Sequence, residues 1–232
     1  MKRSQINRAI AWAKGFLAQH DFHLPPFAFW TPEDWRKKGA ECEEIRANGL
    51  GWDVTDFGRG DFDRFGLLLF TIRNGNQRDK KWKKPYAEKI LLFIEGQETP
   101  MHFHWTKMED IINRAGGNIV MKLYNAAADE KLADTLVKVS CDGVVRTVPA
   151  GGELVLRPGE SITLPQRLYH AFWAEKGSGA VLCGEVSTVN DDEIDNRFVE
   201  PIGRFPGIEE DEPPLHLLCT EYPPPATEGQ QP

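Results

Sequence analysis

No apolar run in this 232-residue chain reaches the roughly 20 residues that a helix needs to cross a bilayer. The stretch from Met1 to Asp21 has two early basic residues, but Asn7, Arg8 and Lys14 interrupt its apolar positions, so it lacks the continuous core of a signal peptide. Cysteine is scarce. Cys42, Cys141, Cys183 and Cys219 lie far apart and form no CxxC pair, which argues against a zinc knuckle or a dithiol redox site. A reducing cytoplasm is the expected setting. An excess of positive charge is missing too: 28 Lys and Arg stand against 35 Asp and Glu, a net charge of −7. Neither a phosphate backbone nor an anionic lipid surface is attracted by such a chain, so no nucleic acid and no membrane is expected as a partner. Internal repeats are absent as well.

What is present is ordinary globular composition, 41% hydrophobic and 27% charged, at a length that one all-β barrel can fill. Ile6, Ile10, Ala13 and Leu17 recur at helical spacing after a capping Ser4, which predicts a helix over residues 5–19. Thr31, Pro32, Glu33 and Asp34 read as a second helix start, with helix to about residue 48. Between them, HLPPFAFW is expected to lie extended on an apolar surface. From Gly51 the texture changes to short β-rich runs broken by Gly, Asn, Asp and Pro, the pattern of a barrel or sandwich. Strands are predicted at 66–73, 87–97, 118–126, 135–143, 144–152, 153–159, 160–175 and 179–189. Thereafter the acidic, proline-rich segment to Leu218 is expected to fold over the barrel as an arm without a regular strand, and EYPPPATEGQQP to fray. The organisation predicted is a helical extension over 1–50, a barrel over 51–190, and an arm and tail over 191–232.

The densest chemical signal runs from Gly96 to Gly116, GQETPMHFHWTKMEDIINRAG. Residues i and i+2 of a strand share a face, which puts His102 and His104 roughly 6–7 Å apart, a span one ion bridges. Glu109 follows after a length of chain sufficient to turn and present a carboxylate from the next strand. Imidazole and carboxylate together suit Mn, Fe, Co, Ni or Zn. An HxH pair by itself is more often a coincidence or a partly exposed histidine on a strand face; the spacing around it is what adds weight. Gly96, His102, His104, Glu109 and Gly116 stand in the order and spacing of the first motif of the cupin superfamily, which this segment resembles.

The second cupin motif is expected about one hairpin later, and Gly159, Pro165 and His170 occur in its order, within GESITLPQRLYHAFWAE. Arg167 stands where that motif usually has glycine, and Ala174 where it usually has asparagine. The resemblance implies an all-β fold, a single cupin-type β-barrel (jelly roll) with an N-terminal helical extension, and makes His170 the fourth ligand. His20, His23 and His216 lie outside both motifs. Three histidines and one glutamate leave room for a chelating substrate, a role shared by isomerases, dioxygenases and binding proteins of this fold.

Over nearly its whole length, and most clearly in AEKILLFIEGQETPMHFHWTKMEDIINRAGGN and LPQRLYHAFWAE, the chain resembles the D-lyxose isomerase family of cupins. That resemblance implies a metal-dependent aldose–ketose isomerase that interconverts D-lyxose and D-xylulose, with D-mannose and D-fructose as a related pair. It implies one divalent metal, Mn2+ first and Zn2+, Co2+, Fe2+ or Ni2+ after it, a sugar substrate and a homodimer. Such a reaction places negative charge beside a carbonyl, so a metal-stabilised enediolate and a proton carrier are required. Lys107, between His104 and Glu109, is the first candidate carrier, with its pKa depressed by nearby metal charge. Lys89, interrupting an apolar strand, is the second, and Glu185 in a late apolar strand is a third catalytic candidate; each is otherwise a solvated residue. Asp191, Asp195 and Arg197 are candidates for closing over the sugar. The alternatives are a cupin metal-dependent dioxygenase, which consumes oxygen, and a non-catalytic sugar-binding cupin, which needs no proton carrier.

Overall fold

The computed structural model describes residues 1–189, 191–205 and 207–226. Helix α1 spans Arg3–Gln19 and buries Ile6, Ile10, Ala13 and Leu17, the spaced apolar positions of the sequence. Its start differs from expectation. The Gln5 side chain accepts the Lys2 amide at 2.9 Å, and Ser4 instead binds Asp211 through both its amide and its hydroxyl. At the second helix Thr31 and Asp34 exchange side-chain and backbone hydrogen bonds at 3.1 and 2.8 Å, the reciprocal cap that starts α2. That helix ends at once: α2 is only Pro32–Arg36, and after a 3-10 turn at Ala40–Cys42 comes α3, Glu43–Ala47. The break is held open by Arg46, whose guanidinium donates to the carbonyls of Lys38 and Gly39 that a continuous helix would have used. Pro26–Phe29 is a 3-10 turn rather than an extended strap, with Phe27 against Phe70.

The remaining chain is β, with strands numbered in chain order. One sheet of eight runs β1 (Gly51–Thr55), β2 (Leu67–Arg73), β3 (Tyr86–Phe93), β13 (Val181–Thr188), β5 (Glu109–Gly116), β11 (Ser161–Leu164), β8 (Val137–Cys141), β9 (Val144–Val148). The second runs β10 (Gly152–Leu156), β6 (Ile119–Ala126), β12 (Leu168–Ala174), β4 (Glu98–His104), β14 (Asn196–Phe198), with the short β7 (Leu132–Ala133) beside β6. The named strand pairs within both sheets are antiparallel, and the sheets face each other as a cupin-type barrel. No helix of the described residues is long and apolar enough to cross a membrane.

Alternation along these strands explains why they are apolar on both faces. Leu67 and Leu69 of β2, Leu91 and Phe93 of β3, and Val181 and Cys183 of β13 point into the barrel core. Leu68, Phe70, Ile90, Leu92 and Leu182 point outward, where α1 covers them with Ile6, Ile10 and Ala13. A sheet buried on both sides needs the continuous apolar runs seen in the sequence. The predicted strand 160–175 is two strands, split at Pro165–Arg167. There Arg167 takes φ +62°, the left-handed conformation that favours glycine and costs a side-chain-bearing residue about 1 kcal/mol. Its guanidinium lies over the rings of Phe103 and Trp105, 5.4 and 5.2 Å from their centroids, which offsets that strain.

Three segments escaped the sequence reading. β1 is too short and too close to charged residues to stand out, β7 is only two residues long, and β14 lies inside the acidic arm, where it pairs Asn196 with His104 and Phe198 with His102. The expected fraying is also corrected over Glu221–Ala226: Tyr222 stacks on Trp35 and donates to the Leu50 carbonyl, and the Ala226 amide reaches Lys38. Residues 227–232 of that tail lie outside the described residues.

Arg3 ties the two chain ends. Only 2% exposed, its side chain pairs with both Glu210 and Glu221, and those carboxylates raise its pKa against the opposing effect of burial, Glu210 first. Arg3→Ala leaves Glu221 without its cation, and since Glu210 is more than half exposed the loss should fall near the low end for broken buried pairs. About 2 kcal/mol, or a thermal midpoint lower by roughly 4–8 °C, is expected by calorimetry; an unchanged midpoint would show that the arm is held by its other contacts.

Candidate metal centre

His102 and His104 alternate with Phe103 on β4, so both rings enter the barrel while Phe103 packs outside against Trp105 and Tyr169. His170 of β12 is the cross-strand partner of His102. Glu109 opens β5 on the facing sheet. The three histidines bring ligand atoms within 4.8 Å of one another, and none of the four side chains is more than 6% exposed.

Hydrogen bonding fixes which nitrogen of each ring faces the centre. Nδ1 of His102, His104 and His170 lies 2.7, 3.2 and 3.0 Å from the backbone carbonyls of Pro100, Asp195 and Leu168. A carbonyl only accepts, so each Nδ1 carries the proton and each Nε2 turns a lone pair inward. Burial, then the neighbouring rings, pushes the His102 pKa well below its usual value, and burial followed by Lys107 lowers that of His104, so both rings are held neutral. Glu109 Oε1 lies 3.3 Å from His104 Nε2 and 3.2 Å from His170 Nε2. These are acceptors facing an acceptor, and among the described residues Glu109 Oε1 and His170 Nε2 are buried without a hydrogen-bond partner. Three inward lone pairs and one carboxylate oxygen fit a divalent cation, the group that makes such an arrangement favourable.

Residues 1–222 match the family model described as D-lyxose isomerase. The chain belongs to the D-lyxose isomerase family. It is 53% identical to the D-lyxose/D-mannose isomerase of Serratia proteamaculans over 96% of this chain and 98% of that protein. It is 52% identical to the protein of the same name from Escherichia coli O157:H7, with the same coverage. Among solved structures the L-ribose isomerase of Geodermatophilus obscurus superposes with a TM-score of 0.59 at 15% identity, over 90% of this chain and 98% of that one, a likeness of fold.

Around the ligand set of this D-lyxose isomerase family member the inward positions turn from apolar to charged. Lys89 precedes Leu91 and Phe93 on β3, and Glu185 follows Val181 and Cys183 on the antiparallel β13; the two are paired in register, with Lys89 Nζ 3.6 Å from Glu185 Oε1. Lys107 Nζ bridges Glu109 Oε2 at 2.5 Å and Glu185 Oε1 at 3.0 Å. Burial alone would lower the Lys107 pKa, but Glu109, then Glu185 and Asp192, raise it. The same Lys107 holds Glu109 well below the usual carboxylate range despite its burial. The two carboxylate neighbours thus act on Lys107 in the sense opposite to that expected of a nearby metal charge.

The candidates for sugar contact are placed differently. Asp195 is 3% exposed and lies beneath the loop that leads from His104 to Glu109: its carboxylate accepts from the amides of Thr106 and Lys107 at 2.8 and 3.0 Å, and its carbonyl takes the His104 Nδ1 proton. It orients ligands rather than lining the pocket. Arg197 points away, to Glu130, whereas Asp191 pairs with Arg78 on the wall of a larger neighbouring cavity. Sequence reasoning missed Asp192 and Arg204, which do line the pocket together with Asn196 and Thr99. Neither sits in a periodic strand, so no spacing announced it.

Asp195→Ala should loosen the loop and the His104 ring and weaken Mn2+ affinity by about 10–100-fold in a calorimetric titration, with Asp195→Asn intermediate. Affinity equal to that of the unaltered protein would mean that β4 and β5 hold the ligands without it.

Proposed function

We propose that this chain is a metal-dependent D-lyxose ketol-isomerase that interconverts D-lyxose with D-xylulose and D-mannose with D-fructose by proton transfer between C1 and C2. The observation that carries the reading is Glu185: a carboxylate only 5% exposed on its side chain, contacted by two lysines, on the barrel wall beside the ligand set. The curated relatives are named for the same sugars. A binding protein has no need of a buried carboxylate poised between ammonium groups, since such networks are costly to desolvate.

His102, His104, Glu109 and His170 would hold the ion, which would supply positive charge to stabilise the negative charge that develops beside the carbonyl. Glu185 takes the proton from C2 and returns it to C1, while the hydroxyl proton on O2 passes to O1, so atoms balance without an oxidant or reductant. Lys107, which pairs with Glu185 at 3.0 Å, donates toward the oxygen that gains charge. Lys89, with Asp192 at 3.2 Å, positions the same carboxylate from the other side. The apolar floor of Leu69, Leu91 and Phe172 excludes water from the transfer.

Manganese, a cytoplasmic setting and a homodimer belong to this proposal. The mixed imidazole and carboxylate donors accept Mn2+ as well as Zn2+, Co2+, Fe2+ or Ni2+, and the four cysteines are free thiols. The outer edge of β9 exposes Val144 and Val145, a surface that sheets rarely leave uncovered.

Metal-stripped protein should form ketose from D-lyxose and D-mannose only after Mn2+ is restored, and equally with and without oxygen; oxygen uptake in place of ketose would establish a dioxygenase. His170→Ala should lose both metal and turnover. Glu185→Gln should keep the metal while kcat falls about a thousandfold, within the range for a removed general base. Near-normal kcat in that variant would move the proton carrier elsewhere.

A further inference from the structure

The space beside the ligand set measures about 40 Å³, far below the roughly 300–1,000 Å³ of pockets that bury small molecules. A polar cavity of about 420 Å³ adjoins it, and the two share Lys89 and Asp192 as a common wall. Arg204 faces the smaller space and Asp53 the larger, and the two are ion-paired with each other. Arg204 also lies 3.8 Å from Asp192. The wall is therefore an alternating set of acids and bases, offering donors and acceptors to both sides.

Strand register carries the same polar character from one space to the other. From Ile111 on β5, two residues beyond Glu109, the cross-strand row runs to Glu185 on β13, its partner Lys89 on β3, and its partner Thr71 on β2. Thr71 follows Leu67 and Leu69, which are core residues, so the switch from apolar to polar falls at one level on three neighbouring strands. Asp53 on β1, opposite Leu69 and diagonal to Thr71, is a further inward polar residue, between the outward-facing Trp52 and Val54. Strands lie about 4.8 Å apart, so Glu185 to Thr71 is roughly 10 Å. A six-carbon chain of five C–C bonds near 1.5 Å spans roughly 6–7 Å, enough to pass Lys89 and enter the larger cavity when its first carbons lie at Glu185.

We propose that the larger cavity is the distal half of the sugar site: the carbons remote from the reaction pass the Lys89–Asp192 edge and the terminal hydroxymethyl lies near Thr71, Asp53 and Thr220, so this cavity sets the preference between five- and six-carbon sugars. The inference rests on the isomerase reading above and extends it to substrate selection. Thr71 and Thr220 line only the larger cavity, and Thr220 is exposed, so it tolerates a larger side chain.

The experiment compares kcat/KM for D-mannose and D-lyxose in the Mn2+-loaded protein, Thr220→Trp and Thr71→Val, with calorimetric binding of the polyols D-mannitol and D-arabinitol, which lack a carbonyl. Thr220→Trp should lower the D-mannose to D-lyxose ratio about tenfold and weaken D-mannitol by a similar factor, with D-arabinitol changed less than about threefold. Thr71→Val, nearly the same size, should lower the same ratio by about threefold or more and guards against misfolding of the tryptophan variant. Unchanged ratios and polyol affinities in both variants, with normal turnover in the unaltered protein, would overturn the distal site alone. Absence of ketose from either sugar in the unaltered protein would instead overturn the isomerase reading on which it rests.

Discussion

The site depends on three hydrogen bonds that leave the ligand set itself out of contact. Each histidine donates its Nδ1–H to a backbone carbonyl, and this alone decides that the inward nitrogen presents a lone pair. Two of those carbonyls, at Pro100 and Leu168, lie two residues before the ring that they hold, so the strands orient their own ligands. The third comes from Asp195 in the arm. With the lone pairs aimed at Glu109 Oε1, the arrangement is unfavourable as a set of neutral and negative acceptors and favourable around a cation, so the fold stores the preference for a metal in its tautomers.

Charge balance around Glu109 then orders the pocket. Lys107 holds Oε2, which frees Oε1 for the centre, and reaches Glu185, which in turn meets Lys89. Each buried charge is compensated by the next, and removing one leaves another unpaired. The row continues through Asp192 and Arg204 to Asp53, so the chemistry at the ligands and the shape of the outer cavity are parts of one electrostatic chain.

Much of this was legible because strands impose a period of two. His102 and His104 announce a shared face, and Lys89 and Glu185 are conspicuous as charges in apolar runs; the structure brings all four together with Lys107, Glu109 and His170. Arg167, a departure from the motif glycine, takes the left-handed backbone expected of that glycine. What escaped was set by irregular backbone. Asp192 and Arg204 contribute to the pocket from turns, where direction has no period, and Asp195 acts through its main chain as much as through its carboxylate. Arg197, from the same acidic loop, faces Glu130 instead, while Asp191 lines the larger cavity with Arg78. The broken second helix was hidden for a related reason, since the carbonyls of Lys38 and Gly39 are satisfied by an arginine several residues later rather than by a helical neighbour.

The pinning of the arm by Arg3 bears on how the protein comes to be made. The barrel strands that carry the four ligands are all synthesised by residue 188, whereas the strand edge at Asn196–Phe198 and the Arg204 wall emerge afterwards, and Glu210 and Glu221, which clamp them to the first helix, later still. A chain interrupted between these points has its ligands but an open pocket flank. Closure of that flank thus rests on contacts between residues that stand 207 and 218 positions apart, so it is set by the longest-range pairing described above and not by neighbouring strands.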